Sequence, residues 1–215
     1  LAMASALKLT PAVLGILLLY NKQWKEAIRT VIYGLILGMV PFLFFHGGLV
    51  NIGRMFHNAA LNVQAYSSTE GTTIVAALVA FGVNATDGMI KIVKCITYVI
   101  VLLLFIQCLF YKEKWEVIMA VSMVLIIAPS HSGYYCIMYL IPAAIAFLNA
   151  KEHSYSDLLI LFSIILIVMD FQCDLFEYVL NYHLAIMLIL AVLLIRGFVR
   201  MYDVIKHKSD NSMAK

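Results

Sequence analysis

Charge is what this sequence has least of. Asp, Glu, Lys and Arg together supply 13% of the residues, hydrophobic residues supply 64%, and mean hydropathy is +0.96. An ordinary soluble domain carries about 25% charged residues, so this composition excludes one and leaves a polytopic membrane protein. The net charge of +3 is small and its basic residues are scattered, which gives nucleic-acid binding no support. Cysteine is equally sparse. Cys95, Cys108, Cys136 and Cys173 form no CxxC pair, and the first three lie in apolar segments where a reduced thiol is a small hydrophobe. Neither a disulfide framework nor a zinc site is indicated. His46, His57 and His131 lack HxxxH spacing, so no metal and no other cofactor is expected. The opening LAMASALKLTPAVLGILLLY has no basic leader or cleavage site and starts on Leu1, which reads as the carboxyl portion of a longer chain. Paired half-repeats, the mark of many transporters, are also missing.

What is present is a series of apolar runs. Leu1 to Tyr20 is long enough to cross a bilayer and ends in the basic Asn21 to Lys25, with an interfacial Trp24, so that end is expected in the cytoplasm. Ala27 to Phe45 then returns outward, with Gly34 and Gly38 set for close helix packing. Ile74 to Val83 is about half the ~20 residues a span needs, and predicts a re-entrant or interfacial helix. Ile90 to Phe110 goes inward, Trp115 to Ala128 outward, Tyr134 to Leu148 inward with a bend at Pro142, Leu158 to Met169 outward, and Tyr178 to Val199 inward. Among the fifteen Lys and Arg, only Lys8, Arg54, Lys91 and Lys94 fall outside the cytoplasmic set. Lys91 and Lys94 can snorkel to headgroups. The expectation is an all-α transmembrane bundle of about seven spans plus the short helix. It forms one domain over 1–215 with its tail in the cytoplasm.

Chemistry-bearing residues collect in the passage from His46 to Thr73, expected as an extracytoplasmic loop, and in the outward turn from Pro129 to Tyr135. Long polar loops between apolar segments tend to carry function. Arg54 suits bidentate phosphate contacts, Asn62, Gln64 and Tyr66 suit a polyhydroxy ligand, and Glu70 is the passage's one acid. His131, with Tyr134 beside it, can donate to a hydroxyl or phosphate, or merely meet solvent. Lys8 lies about 18 Å from the cytoplasmic end of its span at ~1.5 Å per residue, a depth at which an ammonium needs a partner. It either snorkels outward or holds an anion such as a lipid-linked phosphate. Asn84 to Thr86 forms a glycosylation acceptor triplet, too short to carry weight alone.

Four stretches resemble a known family. Leu7 to Pro11 (LKLTP) and Leu17 to Lys25 (LLLYNKQWK), with Asn62 to Ser67 and Ala128 to Tyr135, resemble the patterns of glycosyltransferase family 87, bacterial membrane enzymes of the DUF2029 group. The resemblance implies a GT-C type fold and transfer of a sugar from a polyprenyl-phosphate donor to an extracytoplasmic glycan or lipid acceptor during cell-envelope synthesis. It implies a bacterial plasma-membrane location and contact with membrane lipid. The family's catalytic carboxylate lies in an early external loop that this chain lacks, so the resemblance implies a general base from that absent part, with Glu70 the best substitute within this chain. Lys8 and Arg54 then hold the donor phosphate, and Asn62, Gln64, Tyr66, His131 and Tyr134 contact substrate. The competing classes are a transporter or flippase of lipid-linked or anionic substrates, for which an intramembrane Lys and a short re-entrant segment are equally expected, and a scaffold subunit of an envelope complex.

Overall fold

A computed structural model describes residues 10–65, 71–129, 133–169 and 181–213. All regular structure among them is helical, and contacts divide the chain into two compact units, Leu1–Ser67 and Ser68–Lys215. Each is taken by itself.

In the first unit a 3-10 turn, Thr10–Leu14, runs into the short helix α1, Gly15–Tyr20. Asn21 closes it by donating its side-chain amide to the Leu17 carbonyl at 2.8 Å, and Lys22 at φ +57° reverses the chain. Helix α2, Trp24–Met39, follows and continues as a 3-10 turn, Val40–Phe44, where Pro41 occupies an early position that needs no amide proton. None of its side chains is buried, although the stretch is long and apolar enough to cross a membrane. An apolar stretch of this length with its side chains exposed has lipid as its natural solvent. Gly47 and Gly48, both at positive φ, turn the chain into α3, Val50–Ala65. Asn51 steadies that turn by donating to the His46 carbonyl at 2.9 Å.

Helix α3 lies within the His46 to Thr73 passage, which the sequence reading expected as an extracytoplasmic loop. Ile52, Met55, Phe56, Ala59, Ala60 and Val63 recur at three- and four-residue intervals, with no proline among them. That period builds an amphipathic helix even though its apolar residues are diluted by asparagines.

The second unit is built around α6, Lys114–Ile127. Nearly every residue from Trp115 to Ile127 is buried, including Met119, Met123 and Ile126, as expected for an apolar helix enclosed by others. A capping box starts it: the Glu113 side chain takes the N3 amide while Glu116 takes the Glu113 amide at 3.2 Å. Around it stand α5, Asp87–Gln107, capped by Thr86; α7, Leu140–Leu148, entered through a 3-10 turn at Tyr134–Tyr139; α8, Asp157–Met169; and α9, Asn181–Met213. Pro142 falls in the first turn of α7, where the chain passes from 3-10 to α geometry. Helix α9 packs on α8, α5 and α6, burying Ile186, Ile189 and Leu193.

The short helix α4, Ile74–Ala80, is capped by Thr73, whose Oγ1 accepts from the Ala76 amide at 3.1 Å, and stopped by Gly82 at φ +87°. At seven residues it is about 10 Å long, too short to cross a bilayer. Its first four residues are buried where α4 meets α9 and α5. Among the described residues, helices occupy the stretches expected as spans, and three are long and apolar enough to cross a membrane: Trp24–Phe44, Asp87–Gln107 and Asn181–Lys206. Cys136–Leu148 and Asp157–Val168 are apolar but shorter.

Candidate functional site

The residues singled out from sequence fall unevenly on the structure. Lys8, Tyr66, Glu70 and His131 lie outside the described residues. Arg54 is exposed on α3, with His57 and Asn58 exposed beside it. The backbone of Asn62 stands four residues beyond Asn58 and eight beyond Arg54, so these positions share one register stripe of that helix. Gln64 belongs to its last turn, and Tyr134 opens the 3-10 turn that leads into α7. Lys91 is exposed on α5, and Lys94, half-buried, lines a small recess with Thr73, Thr97 and Pro129.

Within the second unit, polar groups gather at both ends of the bundle. At one end are the start of α9, the cap of α4 and the last turn of α6. Gly71, at φ +93°, presents its carbonyl to His183 Nε2 at 2.9 Å, and the His183 ring lies against Tyr182 with centroids 4.4 Å apart. Tyr182 also closes one side of an apolar groove of about 690 Å³ lined by Ile137, Leu140, Ile141, Ile164 and Ile167 from α7, its leading turn and α8. In the charge-derived orientation this is the outward end.

The opposite end holds a buried charge network that sequence reasoning missed. Glu116 is 0% exposed and accepts from Arg196 Nη1 and Arg200 Nη2, each at 3.2 Å. The Arg196 guanidinium also donates to Ser156 Oγ at 2.6 Å and contacts Ser154 and Asp157. Asp157 in turn accepts from the Ser154 amide at 2.7 Å and stands 3.5 Å from His153 Nδ1. Trp115 completes the set, its ring 5.3 Å below the Arg196 guanidinium. A polar cavity of about 340 Å³ opens among these side chains, with Lys112, Glu113 and Glu152 at its rim. Three cations and four carboxylates surround it, so it offers no excess positive charge for an anionic donor. What the network does is join α6, α8 and α9. The signal was available: Glu116 and Arg196 are ionisable residues set in apolar runs, where a charge needs a partner.

Beside it, Gln107 reaches from α5 into the surface of α9, donating to the Leu194 carbonyl at 3.2 Å. Tyr111 donates to the Leu193 carbonyl at 2.9 Å, and burial pushes its phenol well above the usual range, so it remains a donor at any physiological pH.

Long apolar helices, a helix-enclosed α6 and ionisable groups paired within the bundle define an integral membrane protein of the all-α class. The model of glycosyltransferase family 87 matches residues 1–131, more than half of the sequence, and the chain belongs to that family. It is a membrane glycosyltransferase in that general sense. No curated protein and no solved structure matches the chain.

Proposed function

We propose that this chain serves transfer of a sugar from a polyprenyl-phosphate donor to an extracytoplasmic glycan or lipid acceptor in cell-envelope synthesis, in a bacterial plasma membrane with the tail in the cytoplasm. The observation that carries the reading is the family match over residues 1–131, which includes Lys8, Arg54, the Asn62 to Tyr66 passage, Glu70 and His131. Two features are consistent with a lipid-linked donor. The apolar groove beside Tyr182 has the lining and the size to take several isoprene units, and Arg54 on α3 offers an exposed guanidinium for a phosphate. In this reading Lys8 and Arg54 hold the donor phosphate, Asn62, Gln64, Tyr66, His131 and Tyr134 meet substrate hydroxyls, and a carboxylate acts as general base on the acceptor hydroxyl, Glu70 being only the substitute that this sequence itself offers.

The test is a transfer assay on membranes that contain the protein, with radiolabelled polyprenyl-phosphate sugars. Label covalently joined to an acceptor, dependent on the protein, supports transfer. Label that stays on the donor but changes leaflet marks a flippase instead and sinks the reading.

A further inference from the structure

A second recess, of about 410 Å³, opens between α8 and α9 at the end of the bundle that holds the Glu116 network. Part of its lining is apolar: Leu159 of α8 with Ile195 and Val199 of α9, all three themselves exposed. On a helix long and apolar enough to cross a membrane, exposed apolar side chains meet lipid chains. The rest of the lining is polar and comes from Ser154, Ser156, Arg196, Arg200 and Asp203. Arg200 stands about 29 Å along α9 from the start of the apolar stretch at Asn181, at ~1.5 Å per residue. That is close to the ~30 Å of a hydrocarbon core, so the polar part of the recess falls at headgroup level.

The donors there are not all used. Arg196 is engaged through Nε, Nη1 and Nη2 with Ser156, Glu116, Ser154 and Asp157. Arg200 is 26% exposed and bonds only through Nη2, to Glu116 at 3.2 Å, so its Nε and Nη1 have no acceptor among the described residues. The serines add another donor. Ser154 Oγ and Ser156 Oγ lie 3.0 Å apart and both accept from Arg196 Nη2, so one hydroxyl proton closes their contact and the other is left to donate. An unengaged guanidinium edge and a hydroxyl on one recess suit the oxygens of a phosphate.

The charge balance narrows the ligand. Arg196 and Arg200 are offset by Glu116 and Asp157 behind them, so no positive charge is left over to recruit an anionic lipid. Asp203 is exposed one turn beyond Arg200, and side chains three apart on a helix are neighbours. A headgroup carrying both signs a few ångströms apart can meet Arg200 and Asp203 together.

We propose that this recess binds a membrane phospholipid with a phosphoethanolamine headgroup. Its phosphate accepts from Arg200 and from the free serine hydroxyl, its primary ammonium donates to Asp203, and its acyl chains lie along Leu159, Ile195 and Val199. The bound lipid thereby joins α8 to α9 at a position that the family model does not cover.

The experiment uses the whole chain, purified in detergent and freed of lipid, with binding read by native mass spectrometry. Phosphatidylethanolamine, phosphatidylglycerol and phosphatidylcholine with identical acyl chains are titrated separately. Choline has the same charge as ethanolamine but no N–H to donate, and the glycerol headgroup has no cation. Phosphatidylethanolamine should bind about fivefold more tightly than either. Equal binding of all three, as an apolar surface alone would give, or preference for phosphatidylglycerol overturns the proposal. So does displacement of the lipid by soluble glycerophosphoethanolamine at equal concentration, which would mark a site for a free headgroup.

Two variants locate the site. Asp203→Asn lies at an exposed position outside the buried network, and it should fold normally while binding the ethanolamine and choline lipids alike. Arg200→Gln should weaken all three lipids about tenfold. That change also withdraws a donor from Glu116, so thermal unfolding checks its folding, and Asp203→Asn decides the matter if it fails to fold. Retention of the ethanolamine preference in Asp203→Asn, or wild-type affinities in folded Arg200→Gln, overturns the proposal. Lipid binding is read without any transfer assay, so its outcome is separate from that of the function proposed above.

Discussion

Glu116 is a carboxylate with no exposure, placed where the only alternative to protein partners is apolar packing. It is tolerable because three donors converge on it: Arg196, Arg200 and the Glu113 amide. Such a buried network contributes little net stability relative to a well-packed apolar substitute, yet removing one member leaves the others charged and unpaired. Glu116→Gln should therefore destabilise the protein by about 3 to 5 kcal/mol, read as a large drop in thermal unfolding temperature in detergent. Combining it with Arg196→Met removes one of the two guanidiniums that Glu116 pairs, so the double variant should lose less than the sum of the singles. Simple additivity would mean that the two residues do not share one network.

At the scale of the elements, α5 and α9 approach closely at Gly197. A Cβ built on Gly197 would fall 2.2 Å from Cδ of the buried Gln107, so the glycine is what lets α5 insert that side chain into α9. Gly197→Ala should cost about 1 to 3 kcal/mol, and adding Gln107→Ala should recover part of the loss by clearing the space. Full stability in Gly197→Ala alone would show that Gln107 moves freely, contrary to its bonds with Leu194 and Tyr111. Helix positions were largely legible from sequence, since long apolar runs and basic loops such as Asn21 to Lys25 announce themselves. Helix α3 was not, because Arg54, Asn58 and Asn62 drew attention to polarity while the period of Met55, Phe56, Ala59 and Val63 went unread. The candidate site was legible only as composition. The Glu116 and Arg196 network depends on a contact between residues 80 apart in sequence, and the His183 contact with the Gly71 carbonyl on residues 112 apart, which no local pattern encodes.

For the molecule as a whole, the orientation derived from charge assigns the His46 to Thr73 passage and the Pro129 to Tyr135 turn to the outside, and Lys112 to Lys114, with the Glu116 network beside them, to the cytoplasm. A cysteine introduced as Ser68→Cys should be labelled by a membrane-impermeant thiol reagent added from outside. Labelling only from the cytoplasmic side would invert every later assignment, because each inherits its parity from the basic loop after α1. The functional reading rests most heavily on Lys8, and Lys8→Met keeps most of the aliphatic volume while deleting the charge. If Lys8 holds the donor phosphate, losing one charge-assisted contact costs about 2 to 3 kcal/mol, or roughly a hundredfold in donor affinity. A lysine that only snorkels behaves oppositely, and methionine there would be neutral or mildly stabilising. The decisive measurement is transfer from a radiolabelled polyprenyl-phosphate sugar by the Lys8→Met protein, normalised to its level in the membrane. The account predicts a normal protein level with donor affinity reduced about a hundredfold; normal transfer at normal level would contradict it.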